Sequence, residues 1–261
     1  MQDKGMASQS DQQRSQFESE AIRISQAAEE KGLILRLLGS LAFHVHCPRY
    51  GYLQKALGRA YTDIDFAAYS QQASEMTPFF SSLGYQEDRE VNLYFGAQRM
   101  IFHHPAKHFH IDIFYDKLSF CHDISWVGRL EADSPTLPMA ELLLEKMQIV
   151  KINEKDIIDT AMLLLEHPLG DHDQETLNVK LVSRCCAQDW GLWSTVTMNL
   201  RKVAQLSKGY QQLTADQKTT ISSQVERILE RIQGEPKSMK WRMRAKIGDK
   251  VKWYRDVDEV G

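Results

Sequence analysis

"GRAYTDIDF", residues 58–66, sets two aspartates one residue apart inside an apolar run. The wider stretch AYTDIDFAAY (60–69) reads as a β-strand, and alternate side chains of a strand point to one face. Asp63 and Asp65 therefore share a side, and two carboxylates held that close repel each other. Either both face water, or they hold a cation between them. The surrounding sequence decides which.

Upstream, LILRLL (33–38) reads as a buried strand ended by Gly39-Ser40, and LAFHVH (41–46) reads as the start of a helix. Downstream, HFHIDIFYD (108–116) alternates cleanly, with Ile111 and Ile113 on one face and His110, Asp112 and Phe114 on the other. Three carboxylates on neighbouring strands, Asp63, Asp65 and Asp112, can surround hard divalent cations. Mg²⁺ takes oxygen ligands and combines one or two carboxylates with substrate phosphates. Two such ions stabilise the attacking and leaving oxygens of a displacement at phosphorus. A Gly-Ser turn at a helix N-terminus offers backbone N–H groups and a hydroxyl to a phosphate. Metal and nucleotide together relieve the repulsion between the two aspartates.

The rest of the chain frames this constellation. Residues 1–16 are polar and read as a flexible lead-in. Phe17, Ala21, Ile24 and Ala28 form one apolar stripe, which predicts a helix over 17–31 with Gly32 as its stop. A second helix is expected over 71–83, closed by Gly84. VNLYFGA (91–97) and RMIFHH (99–104) read as a hairpin turning near Gly96. Strand following strand from 91 on points to a mixed sheet rather than a doubly wound one.

After 137 the character changes. Pro138 fits the first turn of a helix over 139–150, Asn153 can cap the next, and Pro168 closes it. From 173 onward only helical patterns appear, the clearest at 214–233 with Thr214 as cap, Ile221, Val225, Ile228, Leu229 and Ile232 as stripe, and Gly234 as stop. The expected class is α+β: a small mixed-sheet core over 17–137, then an all-helical region over 138–261.

Composition narrows the function classes. Of 261 residues, 43% are apolar and 26% charged, and the formal net charge of −3 gives no global attraction to nucleic acid or membrane. Cys47, Cys121, Cys185 and Cys186 form no CxxC pair, so neither a disulfide framework nor a zinc signature is present, and a reduced cytoplasmic compartment is expected. No apolar run approaches the roughly 18 residues of a membrane span. The histidines at 44, 46, 103, 104, 108 and 110 include no HExxH, and a zinc reading rests only on His108 and His110 sharing a face with Asp112. Residues 235–255 hold eight basic side chains against two acidic, interleaved with Trp241, Trp253 and Tyr254. Such a stretch is either an RNA-binding surface, centred on 237–255, or a packed segment with a solvated basic face.

The order LLGSLA (37–42), TDIDF (62–66), HIDIF (110–114) resembles the DNA polymerase β-like nucleotidyltransferase superfamily. By that likeness Gly39 and Ser40 hold the triphosphate, Asp63 and Asp65 bind metal, and Asp112 is the third ligand and orients the acceptor hydroxyl. Arg59, just before the pair, is either a phosphate ligand or a solvated arginine. The segment LLLEKMQIVKINEKDIIDTAMLL (142–164) resembles the helical pair after the core in bacterial AbiEii-type and antibiotic-modifying nucleotidyltransferases. There Lys146 would contact phosphate, with Asp156 or Asp159 as its acidic partner. Independently of any family, Lys146 has Leu142, Leu143 and Val150 as helical neighbours, which sets a cation on an apolar face: a snorkelling lysine or a functional one. The sequence departs from the AbiEii pattern in lacking a Gly-Gly turn and an Arg-Asp pair at the start of the second helix.

The resemblance implies transfer of a nucleoside monophosphate from ATP or another NTP to a hydroxyl of a small molecule, RNA or protein. It implies two Mg²⁺ ions, with Mn²⁺ as a substitute, and pyrophosphate as the leaving group. Two rival readings stand beside it. One is a glycosyltransferase, whose Asp-x-Asp holds a sugar nucleotide through a metal. The other is a degenerate nucleotidyltransferase fold that binds RNA or a partner.

Overall fold

The computed structural model describes residues 9–56, 61–107 and 109–257, so Arg59 and His108 lie outside the described residues. Helix α1 (Gln9–Glu30) starts eight residues earlier than its apolar stripe predicts, within the expected lead-in. Its stripe is as expected: Phe17, Ala21, Ile24 and Ala28 are all buried.

Strand β1 (Arg36–Leu38) is shorter than the apolar run that announces it, and α2 (Gly39–His46) follows without a break. Then come α3 (Tyr52–Ala56), β2 (Asp63–Ala68), α4 (Ala73–Ser82), β3 (Gln86–Glu87), α5 (Arg89–Phe95), β4 (Arg99–His103) and β5 (His110–Tyr115). A small hairpin, β6 (Lys117–Ser119) and β7 (Asp123–Ser125), ends this half. The main sheet runs β1-β2-β5-β4-β3, with β2 and β5 parallel and the other pairs antiparallel. It is a mixed sheet, as expected. Ile64, Phe66, Ile111, Ile113 and Phe102 on one face are completely buried.

One element differs in kind from the sequence reading. Residues 91–95 are not a hairpin strand but part of α5, and 96–97 belong to the turn that follows it. The Asp88 carboxylate accepts the Val91 N–H at 3.1 Å, which caps a helix start. Asn92 then takes the place a strand would fill: its amide oxygen accepts the Ile101 N–H at 2.8 Å and its amide nitrogen donates to the Ile101 carbonyl at 3.4 Å. With the Asp88 N–H, which donates to the same carbonyl at 2.9 Å, it satisfies the Ile101 backbone beyond the β3 pairing.

The second half is built from α6 (Met139–Met147), α7 (Glu154–Glu166), α8 (Val179–Gln188), α9 (Trp190–Leu206), α10 (Ala215–Gly234) and α11 (Met239–Ala245). Two short parallel strands, β8 (Leu169–Gly170) and β9 (Leu177–Asn178), interrupt the helices. Both predicted caps form full capping boxes, Asn153 with Asp156 and Thr214 with Gln217. Helix α6 is buried along its whole length, and one apolar cluster runs from Phe17 through the sheet and α6 to Ile232. The change of character at 137 is therefore a change of secondary structure across a shared core. Among the described residues no helix is long and apolar enough to cross a membrane. All four cysteines are free thiols.

Candidate active site

The parallel pairing of β2 with β5 sets Asp63 beside His110 and Asp65 beside Asp112. All four side chains share the sheet face opposite the isoleucine core. On the other side of β5, β4 brings Arg99 diagonally to Asp112. Its guanidinium donates from Nε to both carboxylate oxygens of Asp112 at 2.8 and 3.0 Å, with a further bond from Nη2, and lies 5.3 Å over the Phe114 ring.

Strand β1 pairs antiparallel with β2 and sets Leu38 beside Asp65, so the chain leaves β1 alongside that carboxylate. The next residue is Gly39, in the left-handed region at φ +69°; a β-carbon there would stand 2.4 Å from Asp65 Oδ2. Only glycine meets both demands. Gly39 opens α2, and its N–H donates to Glu145 Oε1 at 3.1 Å and Oε2 at 3.3 Å. A carboxylate thus sits on the N-terminal end of a helix, where backbone donors and the helix dipole favour negative charge.

Glu145 and Lys146 come from α6. The Lys146 ammonium lies 3.5 Å from Glu145, 3.6 Å from Asp156 and 3.3 Å from Asp159, and 5.4 Å over the Phe43 ring. It is buried, on the apolar helix face that Leu142 and Leu143 share. Asp159 accepts from Gln54 Nε2 at 2.7 Å; Gln54 also donates to the Ser40 carbonyl at 3.1 Å and accepts from the Tyr61 hydroxyl at 2.7 Å. This chain of bonds ties α2, α3 and α7 together beneath Lys146. Asp156 serves two ends at once, since its side chain also accepts the Asn153 N–H at 3.4 Å in the capping box.

The charges are out of balance. Burial raises the Asp65 carboxyl well above the usual range, and the negative charges of Asp63, Asp112 and Glu145 raise it further, against Lys146. Burial pushes Glu145 up to about 7, opposed by Lys146 and the Gly39 N–H. Burial also raises Asp112, against the pull of Arg99. Gly39, Asp65, Phe114, Glu145, Lys146 and Asp156 line a cavity of about 150 Å³.

The structure therefore gathers Gly39, Asp65 and Lys146 at one cavity, with Asp63 and Asp112 on the adjoining sheet face and Asp159 behind Lys146. Ser40 follows Gly39 in the first turn of α2, half-buried. Among the described residues no three or more His, Cys, Asp or Glu side chains are grouped to hold a metal ion. His110 faces His103 at 5.8 Å, and His103 pairs with Asp88 at 3.1 Å. Two residues of the site escaped the sequence reading. Glu145 had a signal, because two adjacent charges in a helix of apolar neighbours cannot both reach water. Arg99 had none short of knowing the register of β4.

No protein-family model matches the chain, and no curated protein matches it either. Among solved structures, the solution structure of the antibiotic-resistance factor ANT(2'')-Ia is similar to 67% of this chain and 95% of that one, at 16% identity and a TM-score of 0.41.

Proposed function

We propose that the protein is a metal-dependent nucleotidyltransferase that moves a nucleoside monophosphate from an NTP to a hydroxyl acceptor. One observation carries this reading: the Asp65 carboxylate, in register with Asp112, is packed directly against the glycine that opens α2. A cation-attracting carboxylate set and an anion-attracting helix end meet in one cavity, which is what a metal–triphosphate complex requires. The motif order of the sequence agrees with it.

The donor set fits hard divalent ions, since all of its groups are carboxylates and its negative charge exceeds its positive. Asp63 and Asp65 would hold Mg²⁺ or Mn²⁺. The ion would neutralise triphosphate charge and activate the acceptor oxygen. The α2 N-terminus at Gly39-Ser40 takes phosphate oxygens, which requires Glu145 to release the Gly39 N–H. Lys146 supplies positive charge beside it. Asp112, held in orientation by Arg99, receives the acceptor proton as the acceptor oxygen bonds the α-phosphorus. The bond from that phosphorus to the bridging oxygen breaks, and pyrophosphate leaves.

Two contacts favour a second reading, a catalytically degenerate binding module: Arg99 engages both oxygens of Asp112, and Glu145 already occupies the helix end. Calorimetric titration of the four NTPs with Mg²⁺ separates the two. The transferase reading expects metal-dependent binding to the wild type, weakened at least about tenfold in Asp63→Asn at unchanged melting temperature, because Asp63 is only half-buried. Absence of binding to every NTP, or equal binding by the variant, overturns it.

A further inference from the structure

A larger cavity, about 720 Å³, opens in the helical half between the start of α9, α11 and residues 252–255, facing the turn 121–123. Trp241 and Trp253, both half-buried, form its aromatic wall, with Trp190 buried beside them. Trp253 is fixed by its indole N–H to Thr195 Oγ1 at 3.1 Å and meets Trp190 edge-on at 5.9 Å. Arg244 lies 4.7 Å over the Trp190 ring, anchored by its bonds to the Gly248 and Val251 carbonyls at 2.6 Å.

The charge of this lining is positive and only partly answered. Its two carboxylates are engaged: Asp123 pairs with Lys117 and Arg255, and Asp189 accepts the Leu192 N–H at the start of α9. Lys240 is exposed and forms no ion pair among the described residues, and Lys252, half-exposed over Tyr254 at 5.0 Å, pairs with Asp256 outside the lining. A cationic ligand is disfavoured here. A purely apolar one would leave the Lys240 ammonium unanswered. Planar rings joined by anionic links satisfy both the indoles and the ammonium groups.

The cavity also borders the candidate active site. Phe120 lines the catalytic cavity, and the next three residues line this one. Arg255 clamps that turn, with its N–H on the Cys121 carbonyl at 3.1 Å and its Nε on the Phe120 carbonyl at 2.8 Å. We infer that the tryptophan cleft binds a single-stranded nucleic acid and leads its end to the catalytic cavity as the acceptor of nucleotidyl transfer. Binding in the cleft stands by itself; the role of acceptor rests on the nucleotidyltransferase reading.

The test is fluorescence anisotropy of a short labelled single-stranded RNA with the full chain, as wild type and the double variant Lys240→Glu/Lys252→Glu. Both lysines are on the surface, and the melting temperature of the double variant checks its fold. Wild type should bind with quenching of tryptophan fluorescence, and the double variant at least about tenfold more weakly at low salt. Equal binding by the double variant, binding without quenching, or a duplex bound as tightly as the single strand overturns the inference. RNA binding by a chain that takes no MgNTP leaves the cleft standing and removes only the transferase reading.

Discussion

Helix α6 carries two buried ionic clusters about one turn apart, and they are built on opposite plans. At Glu141 the plan is closure. Arg129 donates to Glu141 at 2.6 and 3.3 Å and to Asp173 at 2.7 and 3.0 Å, and Asn178 adds a bond to Asp173 at 3.0 Å. At Glu145 the plan is excess. Lys146 and Arg99 face Asp63, Asp65, Asp112, Glu145, Asp156 and Asp159, and the Lys146 contacts stretch from 3.3 to 3.6 Å. A cluster that only holds a fold together satisfies its charges with short bonds. One that leaves negative charge and room beside a helix N-terminus is what the proposed metal–triphosphate site requires.

The largest effect should come from breaking the closed cluster. Arg129→Met leaves Glu141, almost wholly buried, and Asp173 without their cation. Such a loss costs about 3–5 kcal/mol, read as a lower urea midpoint at unchanged slope, while nucleotide binding by the folded fraction stays intact. A loss below about 1 kcal/mol would mean that the closed cluster is not structural, and the contrast along α6 would collapse.

The open cluster should betray itself through pH. Glu145 is raised to about 7 from an ordinary 4.5, so between those values the folded state binds more protons than the unfolded. Its contribution is complete below pH 4.5 and is lost as the pH rises through 7. His46 acts in the opposite sense over part of that window, since burial lowers it to about 4. The informative quantity is therefore the difference between wild type and Glu145→Gln. Glutamine keeps an acceptor for the Gly39 N–H and removes the charge. Relative to wild type, the variant should gain about 2 kcal/mol between pH 5 and pH 8 in urea unfolding. A constant difference would show that Glu145 carries no strained charge.

Local patterns explain what the sequence disclosed. The shared face of Asp63 and Asp65 follows from the pleat, and Asp112 joined them through its alternation with Ile111 and Ile113. Asn153 and Thr214 announced their helices because a cap is a contact over three residues. Lys146 was conspicuous because its helical neighbours are leucines. The contacts that complete the site are not local: Arg99 meets Asp112 across 13 residues and Gly39 meets Glu145 across 106. Helix α5 was misread for a different reason. Leu93, Tyr94 and Phe95 form an apolar run, yet they are 79, 74 and 59% exposed. Hydrophobicity predicts a strand only where the fold buries it, and there it does not.

The smallest effect isolates the join between the two halves of the site. Gly32 and Gly39 both have a positive φ, +72° and +69°. A β-carbon on Gly32 meets nothing within 4 Å, whereas on Gly39 it meets Asp65 Oδ2 at 2.4 Å. Gly32→Ala therefore measures the left-handed backbone alone, about 1 kcal/mol. Gly39→Ala should cost about 1 kcal/mol more, because the Asp65 carboxylate must move to admit the methyl group. That displacement sets the more telling expectation: MgNTP affinity should fall in Gly39→Ala and stay unchanged in Gly32→Ala. If both variants lose the same stability and neither loses affinity, the glycine serves only the turn. The helix end and the carboxylates would then be neighbours without being one site.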